Sequence, residues 1–142
     1  MKEKIKENFI YWFRWVAVFP GAVLFGLLAT FPLHWILYGT LVSGEMISGV
    51  NIAPIERFLY PFVIAFTYVF AGYKIAPKNK FQTAIVLFVI YLVVWLIGII
   101  IGLFKINIYG LDIQFSLRAA LALIGAILSL YTTKEVDNEK KT

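Results

Sequence analysis

Four stretches of apolar residues divide the chain, at 15–38, 58–76, 81–104 and 115–131. A helix crossing a hydrocarbon core of roughly 30 Å needs about 20 such residues, so the pattern predicts four spanning helices. The first stretch contains no charged residue and follows Lys2, Lys4 and Lys6. A cleaved leader would have an apolar part of only about 7–15 residues ending at a small-residue site, so a retained span is expected instead. The second stretch has Pro61 in its opening turn and is stopped by Pro77, both positions that suit proline. The fourth is short and carries Arg118 near its start, where a long side chain can snorkel to the interface.

Between the spans, periodicity changes. In 105–115, Ile106 and Ile108 flank Asn107 ahead of Tyr109 and Gly110, and Leu111, Ile113 and Phe115 alternate with polar residues afterwards. This period of two around a glycine predicts a short β-hairpin. With an extended segment at 50–53 in the longer 39–57 connection, it would form a small extracytoplasmic sheet. The expected architecture is thus an all-α integral membrane protein, a four-transmembrane-helix bundle in one membrane domain over 1–142. Outer loops occupy 39–57 and 105–114, and tails 1–14 and 132–142.

Composition supports a lipid solvent: 61% of the 142 residues are hydrophobic, 18% aromatic and 15% charged. A soluble domain is nearer half apolar and a quarter charged. The net charge of +5 is concentrated at the ends of apolar runs, which points to membrane anchoring rather than nucleic acid. Of thirteen Lys and Arg, ten fall on one predicted side: Lys2, Lys4, Lys6, Arg14, Lys74, Lys78, Lys80, Lys134, Lys140 and Lys141. Only Arg57, Lys105 and Arg118 fall on the other. The positive-inside rule then places both termini in the cytoplasm, in a plasma or bacterial inner membrane. Trp12, Trp15, Tyr73 and Tyr131 would form the inner aromatic belt, and Trp35, Tyr38 and Tyr60 the outer one. Arg14, Lys74, Lys78 and Lys80 are expected to meet lipid headgroups, with anionic lipid favoured by about 1 kcal/mol per cation.

Candidate chemistry is sparse. No cysteine is present, which removes thiol catalysis and thiolate metal sites, and a single histidine cannot supply a two-histidine metal site. Nucleotide loops, nucleophile elbows and zinc motifs are absent, so no cofactor and no catalytic residue are assigned. The central third of each span lacks an ionisable residue, whereas coupled carriers generally need one near the midplane. A candidate polar or ion site at the outer rim comprises His34, Glu56, Asp112 and Arg118. Pro20 and Pro32 each free a backbone carbonyl in the first helix, and a kink is the expected result.

In lipid, helices associate where small residues allow close approach. That spacing selects Ala22 and Gly26 on the first helix, Gly98 and Gly102 on the third, and Ala122, Gly125, Ala126 and Ser129 on the fourth. No family resemblance is drawn: residues 15–38 lack the glutamate of four-helix small multidrug transporters, the glycine-rich motif of fluoride channels is absent, and the paired cysteines of claudin-like proteins are missing.

The expected function is non-enzymatic, acting through helix association as a homo-oligomer or as a subunit beside another membrane protein. The alternative is a small channel, holin-like pore former or transporter. A reporter fused after Thr142 is expected to be active on the cytoplasmic side; activity on the opposite side would overturn the topology.

Overall fold

The computed structural model describes residues 2–42, 53–109 and 113–139, and their side chains over 10–40, 53–104 and 114–139. All of the regular structure described is helical. Helix α1 spans Lys2–Leu28, α2 Thr30–Leu37, α3 Ala53–Ile75, α4 Lys80–Tyr109 and α5 Ile113–Glu139, with a π-helical turn at Tyr38–Val42. Four helical segments are long and apolar enough to cross a membrane: Ile10–Thr40, Ala53–Ile75, Lys80–Phe104 and Gln114–Glu139.

The first segment is interrupted at Ala29 alone, which keeps helical angles (φ −64°, ψ −16°) and still donates its N–H to the Phe25 carbonyl at 3.0 Å. Pro32 has no N–H to give the carbonyl of Leu28, and its ring crowds that carbonyl, so α1 stops at Leu28 and α2 restarts at Thr30. The Thr30 hydroxyl donates to the Leu27 carbonyl at 2.7 Å and thereby satisfies a neighbouring group at the break. Pro20 is carried inside α1 without ending it. At the next connection α3 ends ahead of Pro77, and Asn79 turns the chain with φ 48°, a left-handed conformation that asparagine tolerates well. The Asn79 carbonyl then accepts from Thr83 N–H at 3.0 Å and from the Thr83 hydroxyl at 3.2 Å, opening α4.

The hairpin expected at 105–115 is not formed. Residues 105–109 close α4 and 113–115 open α5, while Gly110, Leu111 and Asp112 lie outside the described residues. Two isolated strands are marginal, whereas extending an existing helix gains a hydrogen bond for each residue fixed. Of the extended segment expected at 50–53, Ala53 begins α3 and 50–52 lie outside the described residues. Helices also run past the apolar stretches into 53–57 and 132–139, and α1 begins in the expected tail at Lys2. Lys and Glu, frequent in these extensions, are good helix formers once the helix exists.

Helix α3 is the centre of the bundle. It packs most extensively on α5 and α1, and touches α2 and α4 as well. A buried cluster of Val18, Ala22, Tyr68, Val69, Tyr73, Ala76, Ala84 and Leu87 joins α1, α3 and α4 in the half nearer the two termini. Gly72 makes this possible, since a Cβ there would collide with the Leu87 side chain. On α5, Ala122, Gly125, Ala126, Ser129 and Thr133 are buried along one face, and Gly125 lies against the backbone carbonyl of Phe62 on α3. Trp95 Nε1 donates to the Ala119 carbonyl at 2.9 Å and fixes α4 against α5.

Backbone cannot yield as a flexible side chain does, so Gly125→Ala is expected to cost about 1–3 kcal/mol through overpacking. Gly98 meets nothing within 4 Å, so Gly98→Ala is expected to be neutral or to stabilise by up to about 1 kcal/mol through helix propensity. Unfolding of both variants in mixed micelles, followed by circular dichroism, checks the contrast.

Candidate functional site

The polar residues selected at the end of the bundle away from the termini separate into two groups on either flank of α3. Glu56 lies in the first turn of α3, where a carboxylate is favoured by the helix dipole. The break before α2 brings His34 across to it, with Nδ1 and Glu56 Oε1 2.5 Å apart. A carboxylate can only accept, so in a pair with ionised Glu56 the His34 Nδ1 is the donor. The Glu56 side chain is 12% exposed and that of His34 45%, so the carboxylate is the group that needs this partner. Tyr60, one turn further along α3, brings its hydroxyl to the same carboxylate. Around the imidazole, Tyr38 is stacked at 6.3 Å between ring centroids and Trp35 is edge-on at 6.0 Å.

Arg118 is held elsewhere. Its Nη2 donates to the Gln114 side-chain oxygen at 3.0 Å, and its guanidinium lies 5.4 Å from the Phe58 ring centroid. Phe58 and Glu56 are two positions apart on a helix of 3.6 residues per turn, roughly 200° around its axis. Their partners are therefore on opposite sides of α3. The Arg118 Nε is buried and makes no hydrogen bond among the described residues, as does Ser129 Oγ. Asp112, the fourth member expected at this rim, lies outside the described residues. Among the described residues no group of three His, Cys, Asp or Glu is placed to hold a metal ion.

The basic residues of the opposite end are arranged on aromatic rings and backbone. Lys74 Nζ lies 5.2 Å from the Phe70 ring centroid and Lys78 Nζ 5.8 Å from that of Tyr11. Arg14 Nη2 donates to the Ile75 carbonyl at 3.4 Å, reaching from α1 to the end of α3. Lys80 opens α4.

Small residues that share a spacing differ in surroundings. Ala22 is fully buried, and a Cβ on Gly26 would come 3.2 Å from the Ile64 carbonyl oxygen, so α1 approaches α3 along both. Gly102 is covered by the ring of Phe115, whereas Gly98, four residues earlier, is open. Two contributors were not evident from the sequence. Phe115 fills the space at Gly102, and Thr30 satisfies the carbonyl of Leu27; only the position of Thr30 before Pro32 signals the second. At mid-helix Tyr68 and Tyr91 meet at 6.0 Å between ring centroids, while the Thr67 hydroxyl returns to its own helix at the Val63 carbonyl, 2.6 Å away.

Comparison with known protein families, with curated proteins and with solved structures finds no match for this chain. The architecture defines a class, an all-helical protein with four candidate membrane spans arranged around α3.

Removing His34 leaves Glu56 short of a partner in a mostly buried position. His34→Ala is expected to destabilise by about 1–3 kcal/mol, and the double variant His34→Leu/Glu56→Leu to recover most of that loss. Equilibrium unfolding in mixed micelles measures both; equal destabilisation in the single and double variants would show that the pair is not the cause.

Proposed function

We propose that this chain is a multi-pass membrane protein with both termini in the cytoplasm, working without enzymatic chemistry through association of its helices. The partner is a second copy of the chain or a larger membrane complex. The observation that carries this reading is the free face of α4. Gly98 is exposed, with nothing within 4 Å among the described residues, and Val94, Ile97 and Ile101 beside it are more than half exposed. Glycine inside a helix costs about 1 kcal/mol relative to alanine, and contact with lipid tails returns none of that cost. Close approach of another helix does return it, because backbones can touch where no Cβ intervenes. Gly102 is covered within the chain by the side-chain ring of Phe115, whereas Gly98 has no neighbour within 4 Å among the described residues.

The separation of His34 and Arg118 onto opposite flanks of α3 supports this reading over a small channel or carrier, in which both would line one path. The ten cations that the sequence assigns to 1–14, 74–80 and 132–142, against three elsewhere, support the proposed orientation.

Replacing Gly98 by isoleucine tests the proposal without disturbing the monomer. Sedimentation in mild detergent is expected to show self-association, or retention of a co-purifying membrane protein, weakened at least tenfold in Gly98→Ile. Helix content and unfolding should stay as in the parent. Assembly of equal strength in Gly98→Ile would refute an α4 interface centred on this glycine.

A further inference from the structure

We infer that the cleft between α1 and α3 is a site for one phospholipid with an anionic headgroup, its acyl chain lying in the cleft and its phosphate at Lys74. The cleft has a volume of about 450 Å³ and is formed by Phe25, Leu28, Ala29 and Pro32 on one side and by Thr67, Phe70, Ala71, Lys74 and Ile75 on the other. Its walls are almost wholly apolar, since the Thr67 hydroxyl is turned back to the Val63 carbonyl of its own helix. Water gains little there, and a hydrocarbon chain suits it. The break before Pro32 and the small side chains of Ala29 and Ala71 leave the space open.

Direction and length match one lipid. Thr67 and Lys74 are seven residues apart, about 10 Å along the helix axis at 1.5 Å per residue. Half of a hydrocarbon core is about 15 Å, so the α3 wall alone takes most of one acyl chain, and the α1 wall continues the cleft to Pro32, two residues before His34.

Charge selects the headgroup. Lys74 stands at the mouth with its ammonium against the Phe70 ring, itself a wall of the cleft. Arg14 reaches the same mouth, bound to the carbonyl of Ile75, another wall residue. Two further apolar clefts make the contrast. One of about 240 Å³ lies among Phe19, Leu27, Tyr68 and Tyr91, and one of about 310 Å³ among Trp95, Leu103, Phe115 and Leu123. Neither includes a charged residue in its lining, so neither can distinguish one headgroup from another. This assignment rests on the proposed membrane insertion, and the proposed orientation places the lipid in the cytoplasmic leaflet.

Native mass spectrometry of the full chain released from nanodiscs tests it, using equal amounts of phosphatidylglycerol and phosphatidylcholine with matched acyl chains. The parent is expected to retain one phosphatidylglycerol per chain in preference to phosphatidylcholine. Lys74→Gln should lower that preference about fivefold, the effect of one cation at an interface, while still retaining a lipid. Ala71→Phe, which fills the cleft, should reduce retention of both lipids, and Ala29→Leu repeats the block from the opposite wall. Circular dichroism confirms that each variant is folded. Equal retention of the two lipids by the parent, or retention by both blocked variants at the parent's level, would overturn the site. Failure of membrane insertion itself is seen separately, as a chain extracted from membranes by carbonate.

Discussion

The arrangement depends on how closely α3 can be approached. In the proposed membrane setting there is little hydrophobic gain from bringing helices together, so association relies on dispersion contacts and on backbones that come within reach of each other. Gly125 supplies such a contact by placing the α5 backbone directly against the Phe62 carbonyl. Ala122, Ala126 and Ser129 keep the rest of that face narrow. Gly72 makes room for the Leu87 side chain of α4, and Ala22 with Gly26 lets α1 come close. With α3 surrounded in this way, the remaining helices have their outer faces free, which explains how a folded chain of this size leaves so many large apolar side chains exposed.

The two ends of the bundle are stabilised by different physics. Near the termini a contiguous apolar cluster around Tyr73 and Val69 holds three helices, edged by cations resting on aromatic rings. At the far end packing is thinner, and single polar contacts act instead: His34 with Glu56 between α2 and α3, and Arg118 with Gln114 over Phe58. Such contacts define geometry at little cost in buried surface, and they depend on each partner being present. The candidate polar contacts therefore also help to hold α2 and α5 on α3 at the far end.

The spans were legible because uninterrupted apolar runs carry their own length. Their ends were less so, since a helix continues past the point where hydrophobicity stops. At 53–57, 105–109 and 132–139 the residues are polar or mixed, and only the helix already formed beside them determines their state. The alternation in 106–113 reads as strand when taken alone, yet 106–109 continue α4 and Ile113 opens α5. At the candidate site, the sequence brings His34, Glu56 and Arg118 to one end by topology. Which pairs with which depends on helical phase: positions 56 and 58 diverge by more than half a turn, so the histidine and the arginine never meet on α3. Spacing alone likewise put Gly98 and Gly102 together, and it took the position of Phe115 to separate them.

One consequence concerns the rotational identity of α4. Apolar residues occur on all its sides, so solvation in lipid is nearly the same whichever side faces outward. A helix of this kind takes its orientation from a few directional contacts. The indole of Trp95 on the Ala119 carbonyl and the ring of Phe115 on Gly102 provide them. They act as an index mark, converting a featureless cylinder into one with a definite front, and every surface α4 offers to its surroundings inherits its position from that mark.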